Sequence, residues 1–434
     1  MHVGIIGGGM MGLATAFYLS KMGIQVTVLE KEKEIGGLSS WEEITPDIRW
    51  DRFYHVILST DQELLEFIEE IGLSGNVTFK ETKTGFYTDG QLHSMSNISE
   101  FLRFKPLCLS DKLRLGAGIF YISKINNWKR LETINARTWL TKVFGLRNYE
   151  KMWAPLLRCK LGSAKDQASA ALIWAIIKRY YDTRHSSSKK ELMGCVKGGY
   201  YSILEHIRNR LSENGNAILV DHTVKRLKHT NNGHLEVLCN QNKVIKFDKL
   251  VATIPNPQII NLWEHIPDGF RGKLKKVRYL SLVSVRLLLD KSLCPFYITN
   301  LTDDGFPFSG LIDATNIIPR EVLKGKALIY LPRYLPKGDS FFDTPDEEVF
   351  SIFLKALKRI FPSFSESEIV THSVNRQTYV QPIQEIDYSE RIATIETPMD
   401  NFYIVNTTMI LNSTLNNNQV IRLARKASQM IANK

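Results

Sequence analysis

The chain has 434 residues, 44% hydrophobic and 23% charged, which suits two or three globular domains with real cores and excludes a disordered or fibrous protein. Its formal charge of +11 invites an anionic contact without choosing among nucleic acid, membrane and phosphorylated ligand. Five scattered cysteines, none in a C-x-x-C pair, argue against a disulfide framework or a zinc site and for a reducing compartment.

The chain opens with an apolar run from Val3 that reads as a strand, so no cleavable leader is expected. The sequence offers no uninterrupted apolar window of about 18 residues, so a cytoplasmic protein is expected. The strand leads into Gly7-Gly8-Gly9-Met10-Met11-Gly12, then into "LATAFYLSKMG" with helical spacing, then into a second strand "QVTVLE" ending at Glu30. This is a βαβ unit with G-x-G-x-x-G at its first turn. Gly7 permits the turn, Gly9 admits a pyrophosphate close to the backbone, and Gly12 lets the helix pack on the strand. The helix N-terminus favours the phosphate charge. Glu30, 18 positions after Gly12, is placed to accept hydrogen bonds from both ribose hydroxyls, and an acid there argues against NADP. A second pair, Gly36-Gly37, suits another close backbone approach to a long, bent dinucleotide.

With that pair, the segment resembles the double motif of the flavin-dependent amine oxidase, protoporphyrinogen oxidase and phytoene desaturase superfamily. The resemblance implies FAD, held by Gly7, Gly8, Gly9, Met10, Met11, Gly12, Glu30, Lys31, Gly36, Gly37, Leu38 and Ser39. It implies an α/β fold in which a Rossmann-like FAD-binding domain is interleaved with a mixed-sheet substrate domain and a helical insertion. "WDRFYHVILS" continues the likeness through Asp51 and His55, with Phe53 where glycine is common. There Tyr54 and His55 are expected near the isoalloxazine edge, or His55 simply satisfies a carbonyl.

"GFYTDGQLHSM" reads as a hairpin turning at Asp89-Gly90. From Ser99 to about Lys190 the pattern is helical and includes "WAPLLRCKLG", similar to the superfamily's helical insertion. Between Glu100 and Arg130, seven basic residues face only two acids and alternate with Phe101, Phe104, Leu107, Leu113, Phe120, Tyr121 and Trp128. Such a face either lies on an anionic membrane or, as is usual for amphipathic helices, packs its apolar side on the core. The latter is the expectation. "HSSSKKE" is expected as a polar loop and Asn232-Gly233 as a turn. Val224 matches the position whose backbone faces the adenine, and "KLVATIPNP" resembles a further FAD-domain strand. "YLSLVSVRLLLD" reads as a buried strand, too short and interrupted to span a bilayer.

Near the end, relatives carry an apolar strand, Gly-Asp and a small-residue turn into the last helix. Here Asn406-Thr407 follows "FYIV", and "QVIRLARKASQMIANK" is the helix. The same Asn-Thr exit and the "WAPLLRCKLG" block resemble a subgroup linked to cell-envelope glycan biosynthesis. Asn406 is expected at the flavin as an uncharged substitute for the acid. The expected division is FAD domain 1–78, 191–272 and 388–434; substrate domain 79–98 and 273–387; helical insertion 99–190.

The leading function is an FAD-dependent oxidoreductase moving a hydride from a small-molecule substrate (an amine, a polyene or porphyrinogen-like compound, or a glycan precursor) to flavin N5. No catalytic base is named; His55, Tyr200 and Tyr379 are pocket candidates by analogy. One alternative is a non-redox sugar-nucleotide mutase using Arg158, Arg333 and Arg376. Another is a flavin-free binding protein of the dissociation-inhibitor type, disfavoured by the intact glycines and Glu30. No metal cluster and no nucleic-acid module is expected.

Overall fold

A computed structural model describes residues 1–184, 192–230 and 233–434. The loop expected at His185–Glu191 and the Asn232 half of the turn lie outside the described residues. Five parallel strands form one sheet in the order Ala217–Leu219, Gln25–Leu29, His2–Ile6, Lys249–Ala252, Phe402–Ile404. Its strands come from three distant stretches of chain. The first strand lies at the centre with both faces covered, which is why it reads as an unbroken apolar run.

Helix Met10–Lys21 is buried from Met10 to Leu19, because helices Gly199–Glu213 and Asn417–Ala432 flank it. The C-terminal helix turns Val420, Ile421, Ala424, Ala427 and Ile431 inward, one helical face, and Asn416 caps it by accepting the Gln419 N–H. An antiparallel meander, Val224–His229, Leu235–Cys239 and Val244–Phe247, covers the other side of the sheet around Ile6, Leu29 and Phe247.

The second sheet is mixed, with seven strands ordered Ile369–Pro382, Tyr279–Leu289, Ala327–Pro336, Gly310–Asp313, Ile298–Leu301, Thr84–Thr88, Gln91–Ser94. Among the described residues its only parallel pair joins Thr84–Thr88 to Ile298–Leu301. Every residue of Tyr279–Leu289 is buried, and helix Asp346–Ile360 packs on one face. Asp89 and Gly90 both have positive φ, 51° and 71°, as a two-residue hairpin turn requires. Val77–Glu81 does not extend this sheet; it pairs with Leu192–Val196 in a small antiparallel sheet of its own.

Between Ile98 and Arg184 the chain is helical and builds a separate core from Phe104, Leu115, Phe144, Leu157 and Trp174, joined to the mixed sheet through Phe86 and Leu280. Here one expectation is corrected. Phe104 and Leu107 are buried, but Leu113, Phe120 and Tyr121 stay exposed. Helix Leu109–Ser123 carries two apolar stripes; Leu115, Gly118 and Ile122 face the core, with Ile119 packed against it and Lys112 and Ser123 buried beside them. Among the described residues no helix is long and apolar enough to cross a membrane.

Candidate flavin and substrate site

The glycine turn is built around Glu30. Its Oε2 accepts the Gly8 N–H at 2.6 Å and its Oε1 accepts the Glu32 N–H at 2.9 Å. Both oxygens keep a further lone pair for a ribose. A Cβ on Gly12 would sit 2.0 Å from the Gly7 carbonyl, so only glycine lets the helix approach the turn. No side chain caps that helix at Gly9, leaving its first N–H groups to a ligand. Gly36 and Gly37 have φ of 129° and 55°, and the Gly36 N–H donates to the Gly8 carbonyl at 2.8 Å. The two glycine turns therefore touch.

They open onto a cavity of about 1180 Å³, above the roughly 300–1,000 Å³ usual for small-ligand pockets. Of the residues expected at a cofactor, Gly7, Gly9, Met10, Met11, Glu30, Lys31, Gly36, Gly37, Leu38, Ser39, His55 and Val224 line it. Gly8 and Gly12 stand behind the wall in the supporting roles just described. The lining also contains residues that the motifs did not mark: His222, Thr253, Gln258, Gln377, Gln381, Asn416 and Asn417. Thr253 had a signal, since it directly follows the strand of "KLVATIPNP"; its hydroxyl donates to the Ile6 carbonyl at 3.0 Å and holds the turn. The cavity runs from the parallel sheet to the mixed sheet, where Leu282, Tyr334, Tyr379 and Val380 close it.

Asn406 is not on the cavity wall. It is buried, its Nδ2 donates to the Ile254 carbonyl and Asn256 Oδ1, both at 2.9 Å, and its Oδ1 accepts from the Thr408 N–H and hydroxyl. Thr407 takes the place on the cavity. A fully engaged amide has nothing left for a cofactor, so the expected side-chain contact is replaced by a structural one.

His55 lines the cavity with its ring 4.5 Å from that of Tyr200. Its Nδ1 lies 3.0 Å from the Phe53 carbonyl, which can only accept, so Nδ1 carries the proton and Nε2 is a bare acceptor. The carbonyl is thus satisfied while the ring also lines the cavity. Burial pushes the imidazole down to about 4, so it is neutral at physiological pH. Burial likewise pushes Asp51 up to about 8, opposed by the Tyr200 N–H at 2.9 Å and by the Arg286 charge. The hydroxyls of Tyr54 and Tyr334 lie 3.0 Å apart. The Tyr379 hydroxyl meets Lys337 Nζ at 3.0 Å.

Arg158, Arg333 and Arg376 do not converge on a diphosphate. Arg158 is bound to Asp304, Arg333 stacks on Phe341 at 3.8 Å, and Arg376 is bound to Asp346 and the Phe342 carbonyl. Among the described residues no cluster could hold a metal ion.

Residues 10–405 match the flavin containing amine oxidoreductase family. The chain belongs to that family. It is a flavoenzyme, an FAD-dependent oxidoreductase, and family membership favours neither the mutase nor the flavin-free alternative. Among solved structures it is similar to a putative protoporphyrinogen oxidase from Exiguobacterium sp. 255-15, with 16% identity, TM-score 0.79, and coverage of 100% of this chain and 98% of that one. It is also similar to putrescine oxidase bound to putrescine (14% identity, TM-score 0.74, 100% of both chains). Cyclohexylamine oxidase from Brevibacterium oxydans IH-35A gives 16% identity and TM-score 0.69 over 100% of this chain and 98% of that one. No curated protein sequence matches significantly.

Proposed function

We propose that the flavoenzyme oxidises a small molecule by taking a hydride from a C–H or C–N centre, with the reaction centre where the glycine cradle meets the mixed sheet. The single observation behind this is the continuity of the cavity from Glu30 to Tyr334 and Tyr379, one wall from each sheet. Bound FAD supplies the electron sink. The chain's part is to bind and orient. Glu30 would hold the ribose, the amides of Met10 and Met11 would hold phosphate, and Val224 would lie on the adenine side. Leu282, Phe53 and Val380 form an apolar patch that excludes water near the reacting atoms. His55 offers Nε2 as a hydrogen-bond acceptor there.

A membrane contact belongs to this reading, within a cytoplasmic location. The outward stripe of helix Leu109–Ser123 is apolar at helical spacing, with Leu109, Leu113 and Phe120 64%, 65% and 57% exposed. Ile98 and Leu102 extend it, and the exposed Arg103, Lys105, Arg114 and Lys124 border it. Apolar anchors ringed by cations fit an anionic lipid surface.

The test of the redox reading is reconstitution. Purified protein incubated with FAD and desalted should be yellow, and the right substrate should bleach it without oxygen. A protein that stays colourless sinks the proposal.

A further inference from the structure

We infer that the substrate is an uncharged, hydroxyl-bearing molecule whose hydroxyl groups are bound by the side-chain amides of Gln377 and Gln381. This rests on the proposed reaction site and names its substrate class. Gln377, Leu282 and Tyr334 are partners in one register across the first three strands of the mixed sheet. Their side chains therefore leave the sheet on the same face, and all three line the cavity. Neighbouring strands lie about 4.8 Å apart, which sets the Gln377 amide beside the apolar patch that Leu282 forms with Phe53 and Val380. Gln381, on the same strand, lines the cavity too.

Both amides stand open. Among the described residues neither Gln377 nor Gln381 forms a side-chain hydrogen bond, although both are half-buried on the cavity wall. Asn375 differs, since its Nδ2 already donates to Ser373 Oγ at 3.1 Å. The charged groups at this end are engaged as well. The Glu42 carboxylate is bound by Arg286 and accepts the Ser373 hydroxyl at 3.1 Å, and Arg376 is bound to Asp346.

A primary amide offers a donor and an acceptor together, and a hydroxyl group answers both. An amine substrate, a cation at neutral pH, would leave water for a wall where Glu42 is already paired. A carboxylate would likewise meet an Arg376 that Asp346 holds, so either charge would lose its solvent without gaining a partner there. A pure hydrocarbon would bury both amides unpaired.

The test is calorimetric titration of the FAD-loaded enzyme at pH 7 with three probes sharing one ring: cyclohexane-1,2-diol, cyclohexylamine and cyclohexanecarboxylate. The diol should bind saturably, and the amine and the carboxylate about tenfold more weakly or not at all. Q377L and Q381L should each weaken the diol about fivefold, whereas Q377E should tighten cyclohexylamine about tenfold by supplying the missing anion. Flavin content is read from the yellow absorbance of the same samples. Cyclohexanecarboxylate bound more tightly than the diol would move recognition to Lys337 beside Tyr379 and overturn the inference. So would a parent enzyme that prefers cyclohexylamine, no saturable binding of the diol, a Q377L/Q381L double variant that binds the diol as the parent does, or a Q377E that gains nothing for the amine. In each case a yellow protein would leave the flavin reading standing.

Discussion

Asn406 was expected to stand in for an acid of the superfamily that the chain resembles, and its surroundings decide what an acid there would do. Its Nδ2 donates to two acceptors, the Ile254 carbonyl and Asn256 Oδ1. The Asn256 amide cannot turn to help, because its Nδ2 already donates to the Leu274 carbonyl at 3.2 Å. Asn406→Asp would therefore set a buried carboxylate oxygen against two oxygens. A buried group that loses its partners costs about 1–3 kcal/mol, and a charged one more, so N406D should lower the urea-unfolding free energy by about 2 kcal/mol or more. An unchanged midpoint would show that the network is dispensable. The Asn-Thr exit was legible in the sequence; the role of its amide was not, since Ile254 and Asn256 lie 152 and 150 positions away.

At the scale of one element, helix Leu109–Ser123 shows what periodicity alone leaves open. Apolar residues recur on two of its faces, and a 3.6-residue period marks stripes without saying which one meets the core. Packing decided it. Gly118 lies where a Cβ would come within 2.5 Å of the Phe144 ring, so that side is pressed against the layer. The stripe of Leu109, Leu113 and Phe120 remains outside, with Lys124 Nζ 5.2 Å from the Phe120 ring. Burying such side chains in lipid is worth about 1.5–3 kcal/mol each, and neighbouring cations add roughly 1 kcal/mol each near an anionic surface. The FAD-loaded protein should therefore float with phosphatidylglycerol vesicles at low salt, much less with phosphatidylcholine, and lose binding as salt rises. L113E combined with F120E should abolish flotation and leave flavin content unchanged, because neither residue touches the cavity. Wild-type protein that remains at the bottom of the gradient with phosphatidylglycerol would refute the lipid contact.

For the whole molecule, local and distant information separate cleanly. The strand, turn, helix, strand and acid from His2 to Glu30 are contiguous, so the βαβ unit and its cofactor class could be read directly. The far end of the cavity could not. Tyr54 meets Tyr334 across 280 positions, and strand Thr84–Thr88 finds its parallel partner at Ile298–Leu301, pairings that no local pattern announces. The cavity inherits this architecture, since Gly9, Glu30 and Val224 come from the parallel-sheet side and Leu282, Gln377 and Val380 from the mixed sheet. A ligand that contacts both walls stabilises both layers at once. Added FAD at a hundred times its Kd should contribute about 2.7 kcal/mol, raising Tm by about 3 °C if all 434 residues unfold as one unit. Calorimetry of apoprotein across FAD concentrations checks this. The main transition should climb with the logarithm of free FAD, and far-UV and near-UV signals should move together. If only part of the unfolding shifts, FAD is held by the glycine cradle alone and the mixed sheet is not part of its site.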